Sequence, residues 1–441
     1  MIKKYFLQAK YNLRVFAITP VTFFKRVVFG KDPYWKQYFW NKWAFFPKEL
    51  LRMAKNRKTI WIDALGGGEV TQIYTFTGLI KSEFPGYNLI LSTNNVDSFK
   101  FASNLQALDF IFDIPWDISF VMRKALKAIR PELLIVIDQV RFPVILKEAK
   151  KLGIKTILIS AAMANSYYRS DYWARPLVYG FHRYFDFIGV TEERDKQAYL
   201  SIGATPDKVK VTGNMKYDEN YIRISEEEKQ RLREKLNLHP DDYVFVAGSI
   251  HLREEDIILE GYSRAKRIIP NIRLILVPRY MNAVSNMENT LRRMQLDFIK
   301  WTELNLWPVL KDEIILVDTF GELSRLYAIA SVIFIGNSIF PRDKFALGQN
   351  IVEPLLHQQP IFFGKHMNKW RNIIDELKYI WNGLQIETAQ ELCDGLATLQ
   401  RDSDLCLALR NKCREIVERN KDGITNNLQL VRKLINNHEG N

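Results

Sequence analysis

The sequence predicts an α/β protein with two doubly wound parallel sheets. Apolar runs of strand length alternate with helical patterns through most of the 441 residues, which is typical of parallel sheets covered by helices. A highly charged segment at 225–236 interrupts this alternation. The chain also exceeds the usual length of one domain. We therefore expect one sheet before that segment and one after it.

The first sheet is predicted from apolar runs between residues 59 and 212. Helical patterns intervene, for example over 70–81, 118–129 and 143–152. The predicted strands are 59–62, 88–92, 110–112, 131–138, 156–160, 187–190 and 209–212. This pattern predicts an N-terminal domain over 59–222.

The charged segment predicts a helix, because Ser225 is a good N-cap and acidic residues follow it in the first turn. We interpret 223–240 as a linker helix and 241–400 as a second α/β domain. The strands predicted in that domain are 243–247, 273–277, 314–317, 332–335 and 360–363. The tail reads as helical, and we expect 401–441 to pack back on the N-terminal domain.

Most of the net charge of +13 lies at the N-terminus. Residues 1–58 carry 14 Lys and Arg against 2 Asp and Glu, together with 15 aromatic residues. Interleaved cations and amphipathic rings suit a membrane interface. Nucleic acid is the rival partner, but no nucleic-acid-reading motif accompanies the patch, and a solvated basic arm is the third reading. No apolar run approaches the ~20 residues of a membrane span, so we predict a segment that lies on the membrane.

Metal chemistry is not predicted. The three cysteines (Cys393, Cys406 and Cys413) lack metal-type spacing, and the 6 histidines are scattered. Reduced cytoplasmic thiols and a mechanism without a metal or cofactor are therefore expected.

One stretch near the end of the second domain outlines a ligand site. The strand at 332–335 runs into a glycine turn, and Gly348-Gln349-Asn350 precedes Glu353 and a further apolar segment. Strand ends and helix N-termini at the edge of a parallel sheet bind anions. Asn350 and Glu353 are three residues apart, so they share a face of the helix opening. An amide and a carboxylate there could bind phosphate and ribose, which outlines a nucleotide-sugar site.

The chain resembles the Kdo transferases of lipopolysaccharide assembly (3-deoxy-D-manno-octulosonic acid transferase, glycosyltransferase family 30). The resemblance covers roughly residues 58–400 and depends on seven motifs that occur in the family's order. They are Gly67-Gly68-Glu69, 211–218 (VTGNMKYD), 248–251 (GSIH), 277–279 (VPR), 318–323 (DTFGEL), 348–354 (GQNIVEP) and 364–366 (GKH). The resemblance implies the GT-B fold, in which two Rossmann-like doubly wound parallel-sheet domains face a cleft.

The resemblance implies an inverting transfer of Kdo from CMP-Kdo to a lipid A-type glycolipid, at the cytoplasmic face of the bacterial inner membrane. Glu69 is the expected catalytic base, since an acceptor hydroxyl must lose its proton as it attacks; the alternative is an ordinary acid in a first helical turn. Gly66, Gly67 and Gly68 can adopt backbone conformations closed to other residues and could leave room for the bulky acceptor. Asp138 and Lys216 are further acceptor-site candidates.

The donor is expected in the second domain. Arg279 could grip its phosphate or carboxylate bidentately, or form a surface ion pair instead. The other candidates follow strands or open helices, and each has an ordinary structural alternative such as capping. They are Ser249, His251, Gly321, Glu322, Leu323, Asn350 and Glu353.

The chain departs from the family pattern mainly in its first half. Asp138-Gln139-Val140-Arg141 stands where the family has two carboxylates, and Ser160-Ala161-Ala162 stands where it has an arginine. Two alternatives therefore remain open. One is a GT-B transferase with another nucleotide sugar or lipid acceptor, and the other is a non-catalytic lipid-surface protein that retains the fold.

Overall fold

A computed structural model describes residues 35–94, 96–162, 180–218, 224–340 and 348–436. The chain forms two compact units. Unit 1 contains Met1–Glu219 and Lys421–Asn441, and unit 2 contains Asn220–Asn420. Residues 1–34 of the predicted membrane segment lie outside the described part of the chain.

Unit 1 contains a seven-stranded parallel sheet in the order β3-β2-β1-β4-β5-β6-β7. All seven strands predicted from the apolar runs are present, with ends shifted by at most two residues. The strands are β1 Thr59–Asp63, β2 Asn88–Thr93, β3 Phe110–Asp113, β4 Leu133–Ile137, β5 Lys155–Ala161, β6 Phe187–Val190 and β7 Val209–Val211.

The central strands of this sheet are buried on both faces because helices cover each side. In β1, Trp61 packs into one apolar core, whereas Ile60 and Ile62 pack into the other. This is the alternation that a strand covered on both faces requires. The helices of the first part of unit 1 are α1 Trp35–Lys42, α2 Lys48–Asn56, α3 Gly67–Thr71, α4 Tyr74–Glu83, α5 Val96–Ala102, α6 Ser119–Ile129, α7 Pro143–Lys151 and α8 Glu193–Ser201.

Helix α17 (Gly423–Asn436) completes unit 1 from the far end of the chain. Its apolar side, which includes Leu428 and Val431, joins the core formed by β1, β4 and α4. Its N-terminus is capped by Asp218, whose carboxylate accepts the N–H groups of Asp422 at 2.9 Å and Ile424 at 2.7 Å. The motif over 211–218 therefore has a structural role, which is to hold the start of this helix.

Unit 2 contains a six-stranded parallel sheet in the order β10-β11-β9-β8-β12-β13. The short strand β10 was not predicted, because its three residues give no periodic signal. The strands are β8 Tyr243–Ile250, β9 Ile272–Pro278, β10 Phe298–Lys300, β11 Ile314–Leu316, β12 Val332–Ile335 and β13 Ile361–Phe363. The helices are α9 Glu226–Lys235, α10 Glu254–Lys266, α11 Val284–Arg293, α12 Leu323–Tyr327, α13 Val352–Leu356, α14 Arg371–Ile380, α15 Ala389–Arg401 and α16 Ser403–Arg419.

The structure divides the chain differently from the sequence-based boundaries. The predicted linker helix is α9, which belongs to unit 2. The predicted tail over 401–441 is split, since α16 belongs to unit 2 and packs on α13 and α14, and only α17 belongs to unit 1. The helix expected over 70–81 is two helices, α3 and α4, separated by a tight turn in which the Ile73 N–H bonds Val70.

The described end of the predicted membrane segment is part of unit 1 rather than separate from it. Tyr38, Lys42 and Leu50 are buried there, and Trp43 and Phe46 pack against its core. In the described part of the chain, every helix falls short of the length and apolar character needed to cross a membrane.

Candidate functional site

The turn between β1 and α3 holds Glu69 in a fixed position. The carboxylate folds back over the helix start, and its Oε2 accepts the N–H groups of Leu65 at 2.6 Å and Gly66 at 3.2 Å. Its Oε1 accepts a hydrogen bond from Nη2 of Arg141 at 3.2 Å. Glu69 therefore caps its own helix with one oxygen and presents the other to a half-exposed guanidinium. Its role as the catalytic base stays a prediction.

Burial raises the pKa of Glu69 above its usual value, and the nearby Asp138 raises it further. The Arg141 guanidinium and the two backbone N–H groups act in the opposite direction. A carboxylate with a raised pKa is a stronger base, provided that the pH keeps it ionised. Asp138 follows β4, the neighbour of β1, in a left-handed conformation with φ of +61°. Its role at the acceptor site stays a prediction.

The glycines before Glu69 have ordinary backbone angles. What they contribute is the absence of a side chain. Gly66 is extended, with φ of −113°, and neither Gly67 nor Gly68 has a positive φ. The three glycines therefore do not use the conformational freedom that glycine has. A side-chain carbon at Gly68 would meet nothing within 4 Å, however, and one at Gly67 would touch Phe101 at ordinary contact distance. At Gly68 the turn is therefore open.

A second buried carboxylate, Asp63, ends β1 close to this turn. It accepts a hydrogen bond from the Ser92 hydroxyl at 2.6 Å, which in turn accepts one from the Trp61 indole N–H at 2.8 Å. Burial raises the pKa of Asp63 to about 7, and the charge of Glu69 contributes in the same direction. Asp63 was not predicted as a site residue, because an acid at a strand end is too common to signal burial.

Lys216, the other predicted acceptor-site residue, lies on the short helical turn Met215–Tyr217. The Met215 N–H next to it bonds the Ser160 hydroxyl at 3.3 Å. Ser160 is in β5, with φ of +51°. The structure thus places Lys216 at the sheet edge where β5 ends, and the seating of α17 fixes its backbone.

In unit 2, the turns after β8 and β12 are joined by the carboxylate of Glu254. Its Oε2 accepts the N–H groups of His251 at 3.0 Å and Asn337 at 2.7 Å. Its Oε1 accepts those of Ser338 at 2.8 Å and Ile339 at 2.9 Å. Glu254 is fully buried, and burial raises its pKa although these four bonds oppose the shift. Sequence reasoning missed this residue, since first-turn acids are ordinary.

The turns that follow the strands of unit 2 lie so close together that two of their glycines have no space for a side chain. A side-chain carbon at Gly336 would lie 2.2 Å from the carbonyl oxygen of Ser249, and one at Gly364 would lie 2.3 Å from the Ser338 backbone. Ser249 itself is almost fully buried, with φ of +56°. The glycines of the predicted turns are therefore required by packing, and they bring the three turns into one compact edge.

Arg279, Tyr327 and Glu353 come together at this edge. Burial raises the pKa of the Tyr327 phenol well above its usual value, with the charge of Glu353 adding to the shift and that of Arg279 opposing it. The hydroxyl of Tyr327, the last residue of α12, lies against Gly248. A side-chain carbon at Gly248 would lie 2.1 Å from this hydroxyl. Arg279 is exposed, so its guanidinium is available to an anion. The charges of two predicted donor-site residues thus act on one tyrosine that the sequence gave no reason to select.

The remaining donor-site candidates lie around the same edge. Gly321 has φ of +95°, and Glu322 precedes α12 and pairs with Arg325 at 3.2 Å. The helix that Leu323 begins has only five residues. Asn350 precedes α13, and its side chain accepts the Val352 N–H at 3.2 Å, so it supports the start of this helix. Its role in donor binding stays a prediction.

His251 lies at the centre of the turn after β8. Its Nε2 is 3.2 Å from Nε2 of Gln349, and its ring meets the ring of Tyr280 edge-on at 5.5 Å. The 248–251 and 348–350 motifs are therefore in contact, and their common role in donor binding stays a prediction. No group of three or more His, Cys, Asp or Glu side chains that could hold a metal occurs among the described residues.

Comparison with known proteins agrees with this arrangement. Residues 38–219 match the family model described as 3-deoxy-D-manno-octulosonic-acid transferase (kdotransferase). The 3-deoxy-D-manno-octulosonic acid transferase of Chlamydia muridarum is 23% identical over 414 residues, covering 93% of this chain and 91% of that protein. A bifunctional glycosyltransferase/methyltransferase of Fusobacterium nucleatum is 27% identical over 360 residues, covering 79% of this chain but only 54% of its own length.

Solved structures share the fold at low identity. Anabaena HepE in complex with UDP-glucose superposes with a TM-score of 0.57 at 13% identity, covering 86% of this chain and 99% of that one. The UDP-GlcNAc 2-epimerase of Neisseria meningitidis gives a TM-score of 0.58 at 12% identity, with 86% and 99% covered. With its two parallel-sheet units and these relatives, the chain is a glycosyltransferase of the GT-B fold that is related to the Kdo transferases.

Proposed function

We propose that this protein transfers Kdo from CMP-Kdo to a lipid A-type glycolipid, with inversion, at the cytoplasmic face of the bacterial inner membrane. The acceptor hydroxyl attacks the anomeric carbon, its proton passes to Glu69, and CMP departs with the bonding electrons. The names of the relatives and the seven ordered motifs support CMP-Kdo as the donor. The membrane surface supplies the glycolipid acceptor.

The observation that carries this proposal is the state of the Glu69 carboxylate. One oxygen is anchored by the N–H groups of Leu65 and Gly66, so the group is held in place. Among its described contacts, the other oxygen meets only a half-exposed arginine, whose side chain a substrate can displace. Burial raises the pKa of the carboxyl group. An anchored, partly desolvated carboxylate with one replaceable partner is suited to general base catalysis.

Binding of the donor is assigned to the edge of unit 2. We propose that Arg279 binds the phosphate of CMP-Kdo, because a guanidinium forms paired hydrogen bonds with oxyanions. Glu353 is assigned to the ribose hydroxyls, with Tyr327 holding its position. Stabilisation of the departing phosphate by Arg279 and nearby backbone N–H groups would need no metal ion.

We assign attachment to the membrane to the basic aromatic surface of unit 1, which includes Trp40, Phe45, Phe120 and Lys124. Three rings in its described part are more than half exposed, namely Trp40, Phe45 and Phe120. The ammonium group of Lys124 lies over the Phe45 ring, 3.0 Å from its centroid. Rings at headgroup level with cations beside them bind anionic lipid surfaces.

The direct test is transfer by the full-length protein on vesicles that contain a lipid A-type acceptor, with products identified by mass spectrometry. CMP-Kdo, UDP-sugars and GDP-sugars are compared as donors. We expect a mass increase of one Kdo residue with CMP-Kdo only. A product with another nucleotide sugar, and none with CMP-Kdo, would replace the proposed donor. No product with any donor would favour a lipid-surface protein that retains the fold.

A further inference from the structure

One connection in the sheet of unit 2 is a loop instead of a helix. Parallel strands need crossover connections, which are usually helical, and α10, α11, α12 and α13 lie in four of the connections between β8 and β13. The fifth runs from β10 to β11 through the short helical turn Trp301–Glu303 and an irregular segment that ends at 313. We call residues 301–313 the β10–β11 loop. Because β10 is an edge strand, a loop takes the place of a helix at this edge of unit 2.

The β10–β11 loop has one side turned inward and one side turned outward. Trp301 and Val309 are buried. Leu306, Trp307 and Leu310, in contrast, each have an exposed fraction of 62% or more. Single exposed apolar residues are ordinary, whereas a contiguous group is typical of an interaction surface. We call these three residues the exposed apolar group.

The backbone of the loop is fixed to the rest of unit 2. The Glu303 carbonyl oxygen accepts the N–H groups of Leu306 at 2.8 Å and Trp307 at 3.1 Å, which forms a tight turn. The Val309 carbonyl oxygen accepts a hydrogen bond from the Asn237 side chain at 2.8 Å. An ordered loop therefore holds the exposed side chains outward.

A buried ion pair takes part in holding this loop. The Leu310 carbonyl oxygen accepts a hydrogen bond from Nη2 of Arg273 at 3.3 Å. Arg273 is buried, and its Nη1 pairs with the buried Asp242 at 3.3 Å. A buried ion pair is costly unless its hydrogen bonds are satisfied, so the loop and the pair stabilise each other. The core of unit 2 thus sets the outward position of the exposed apolar group.

The acidic side chains of the loop have partners within unit 2. Glu303 pairs with Lys300 at 3.0 Å, and Asp312 pairs with Lys266 at 3.0 Å. The Glu313 carboxylate accepts a backbone N–H of the loop at 2.6 Å. These partners reduce the repulsion that the three carboxylates would exert on an anionic surface.

The exposed apolar group fits a lipid bilayer better than a protein. A large aromatic side chain buries about 150–250 Å², so three side chains remain well below the roughly 800 Å² per partner of a stable protein interface. A bilayer needs no complementary surface to accept apolar side chains. Tryptophan is also enriched at headgroup level, where its ring is apolar and its N–H is hydrated. Lys311, directly after the group, is exposed and can reach lipid phosphates.

We propose that the exposed apolar group is a lipid contact of unit 2, separate from the basic aromatic surface of unit 1. Trp307 and the two leucines enter the headgroup region, and Lys311 stays among the phosphates. The proposal rests on the proposed function, because an enzyme that acts on a glycolipid works at a bilayer. The two contacts differ physically, since salt screens the cations of unit 1 but does not prevent burial of apolar side chains.

Binding of the full-length protein to vesicles tests this contact without catalysis. The loop variant combines Leu306→Gln and Trp307→Gln. The matched control combines Leu407→Gln and Tyr379→Gln, which remove an exposed leucine and an exposed ring from helices that follow β13, the other edge strand. Vesicles of phosphatidylethanolamine and phosphatidylglycerol, without glycolipid, are sedimented with each protein at about 0.1 M and about 1 M NaCl. Thermal melts establish that each variant is folded.

The control should bind as the wild type does at both salt concentrations. At about 1 M NaCl, where the cations of unit 1 are screened, the loop variant should bind at least about tenfold more weakly than the wild type. Its loss at about 0.1 M NaCl should be smaller. Wild-type binding that disappears at the higher salt concentration, a loop variant that binds normally, or a control that weakens equally would each overturn the proposal.

Sedimentation velocity without vesicles tests a protein as the occupant. We expect the wild type and the loop variant to have the same oligomeric state. If the wild type self-associates and the loop variant does not, the exposed apolar group is an interface between copies of this chain, and the lipid contact is rejected.

Transfer assays separate this proposal from the proposed function. The loop variant should show a higher KM for a glycolipid acceptor in vesicles, and unchanged kcat and KM for the same acceptor dispersed in detergent. The expected vesicle binding, without Kdo transfer by any of the proteins, would reject the proposed function and leave the lipid contact in place. An unchanged KM on vesicles would contradict a role of the contact in the reaction.

Discussion

Each unit has a buried glutamate at the start of the helix that follows its first strand, Glu69 in unit 1 and Glu254 in unit 2. Both have a pKa raised mainly by burial. They differ in what their oxygens contact. Glu254 has both oxygens bonded to backbone N–H groups, four in total, whereas Glu69 has one oxygen bonded in this way and the other paired with Arg141.

This difference separates a structural carboxylate from one suited to chemistry. The four N–H groups on Glu254 join two turns of the chain and leave no oxygen for a substrate. The partner of Glu69 Oε1 is a long, half-exposed side chain, which a substrate hydroxyl could displace or join. Sequence position alone does not distinguish the two residues, because both are acids in a first helical turn after a glycine-containing turn.

The largest expected effect is that of Glu69→Gln. The amide preserves shape and can still accept from the Leu65 N–H, but it cannot take a proton, so transfer should fall by ~10²–10⁴-fold. Release of CMP from CMP-Kdo on acceptor vesicles measures this. Stability should not fall, because removal of a buried charge offsets the weaker hydrogen bond.

Glu193→Gln is the control for that variant, since Glu193 is an exposed first-turn acid of α8 in the same unit. Its activity should equal that of the wild type. If Glu69→Gln retains its activity, Glu69 is a structural carboxylate like Glu254 and is not the catalytic base.

A second effect concerns Asp63, a buried carboxylate beside Glu69. Its pKa in the folded protein is about 7 against 3.8 as the ordinary value, so the folded state binds the proton more tightly than the unfolded state. The free energy of unfolding should therefore fall as pH rises from about 4 to 7, by roughly 4 kcal/mol from this group. Urea unfolding of the wild type and Asp63→Asn at several pH values measures it.

Asp63→Asn should lose most of that pH dependence, whereas Asp207→Asn, an exposed acid in the same unit, should keep it. Equal slopes for wild type and Asp63→Asn would show that this carboxylate is not proton-bound in the folded state. The pKa of Glu69 is also raised, so Glu69 contributes to any pH dependence of the unfolding free energy that remains in Asp63→Asn.

A smaller loss is expected for Glu254→Gln. The new amide NH₂ replaces an acceptor oxygen and faces two backbone N–H groups, so unit 2 should lose about 2–3 kcal/mol of stability. Chemical unfolding gives the value, and Glu260→Gln, which alters an exposed acid on the same helix, is the comparison. A Glu254→Gln protein as stable as the wild type would show that its four hydrogen bonds only balance the cost of burying the charge.

The smallest effect is a shift in pH dependence caused by Arg141→Gln. Because the guanidinium lowers the pKa of Glu69, its removal should raise that pKa. A base must be ionised to act, so the acidic limb of the kcat/KM profile should move to higher pH. Arg183→Gln, another arginine in the same unit, should leave the profile in place. An unmoved profile for Arg141→Gln would separate Arg141 from the function of Glu69.

The fold was largely predictable because parallel strands buried on both faces give continuous apolar runs. The runs at 187–190 and 332–335 coincide with β6 and β12 to the residue. The short β10 and the division of the tail between α16 and α17 were not predictable, since helical patterns do not reveal which core a helix joins. That choice depends on Asp218, about 200 residues away in sequence from the helix that it caps.

The site was predictable where its residues belong to turns that packing requires, as at Gly336 and Gly364. The partners that fix its electrostatics were not. Arg141 and Tyr327 lie on elements distant in sequence from Glu69 and Glu353, and only the order of the strands brings them together.

The position of α17 has a consequence for synthesis of the protein. This helix contributes apolar side chains to the core of unit 1, yet the ribosome makes it only after all of unit 2. Until then, nascent unit 1 exposes the apolar surface that α17 will cover. Folding of unit 1 therefore waits until the whole of unit 2 has been made, and a chaperone would be needed longest by the half of the chain that emerged earliest.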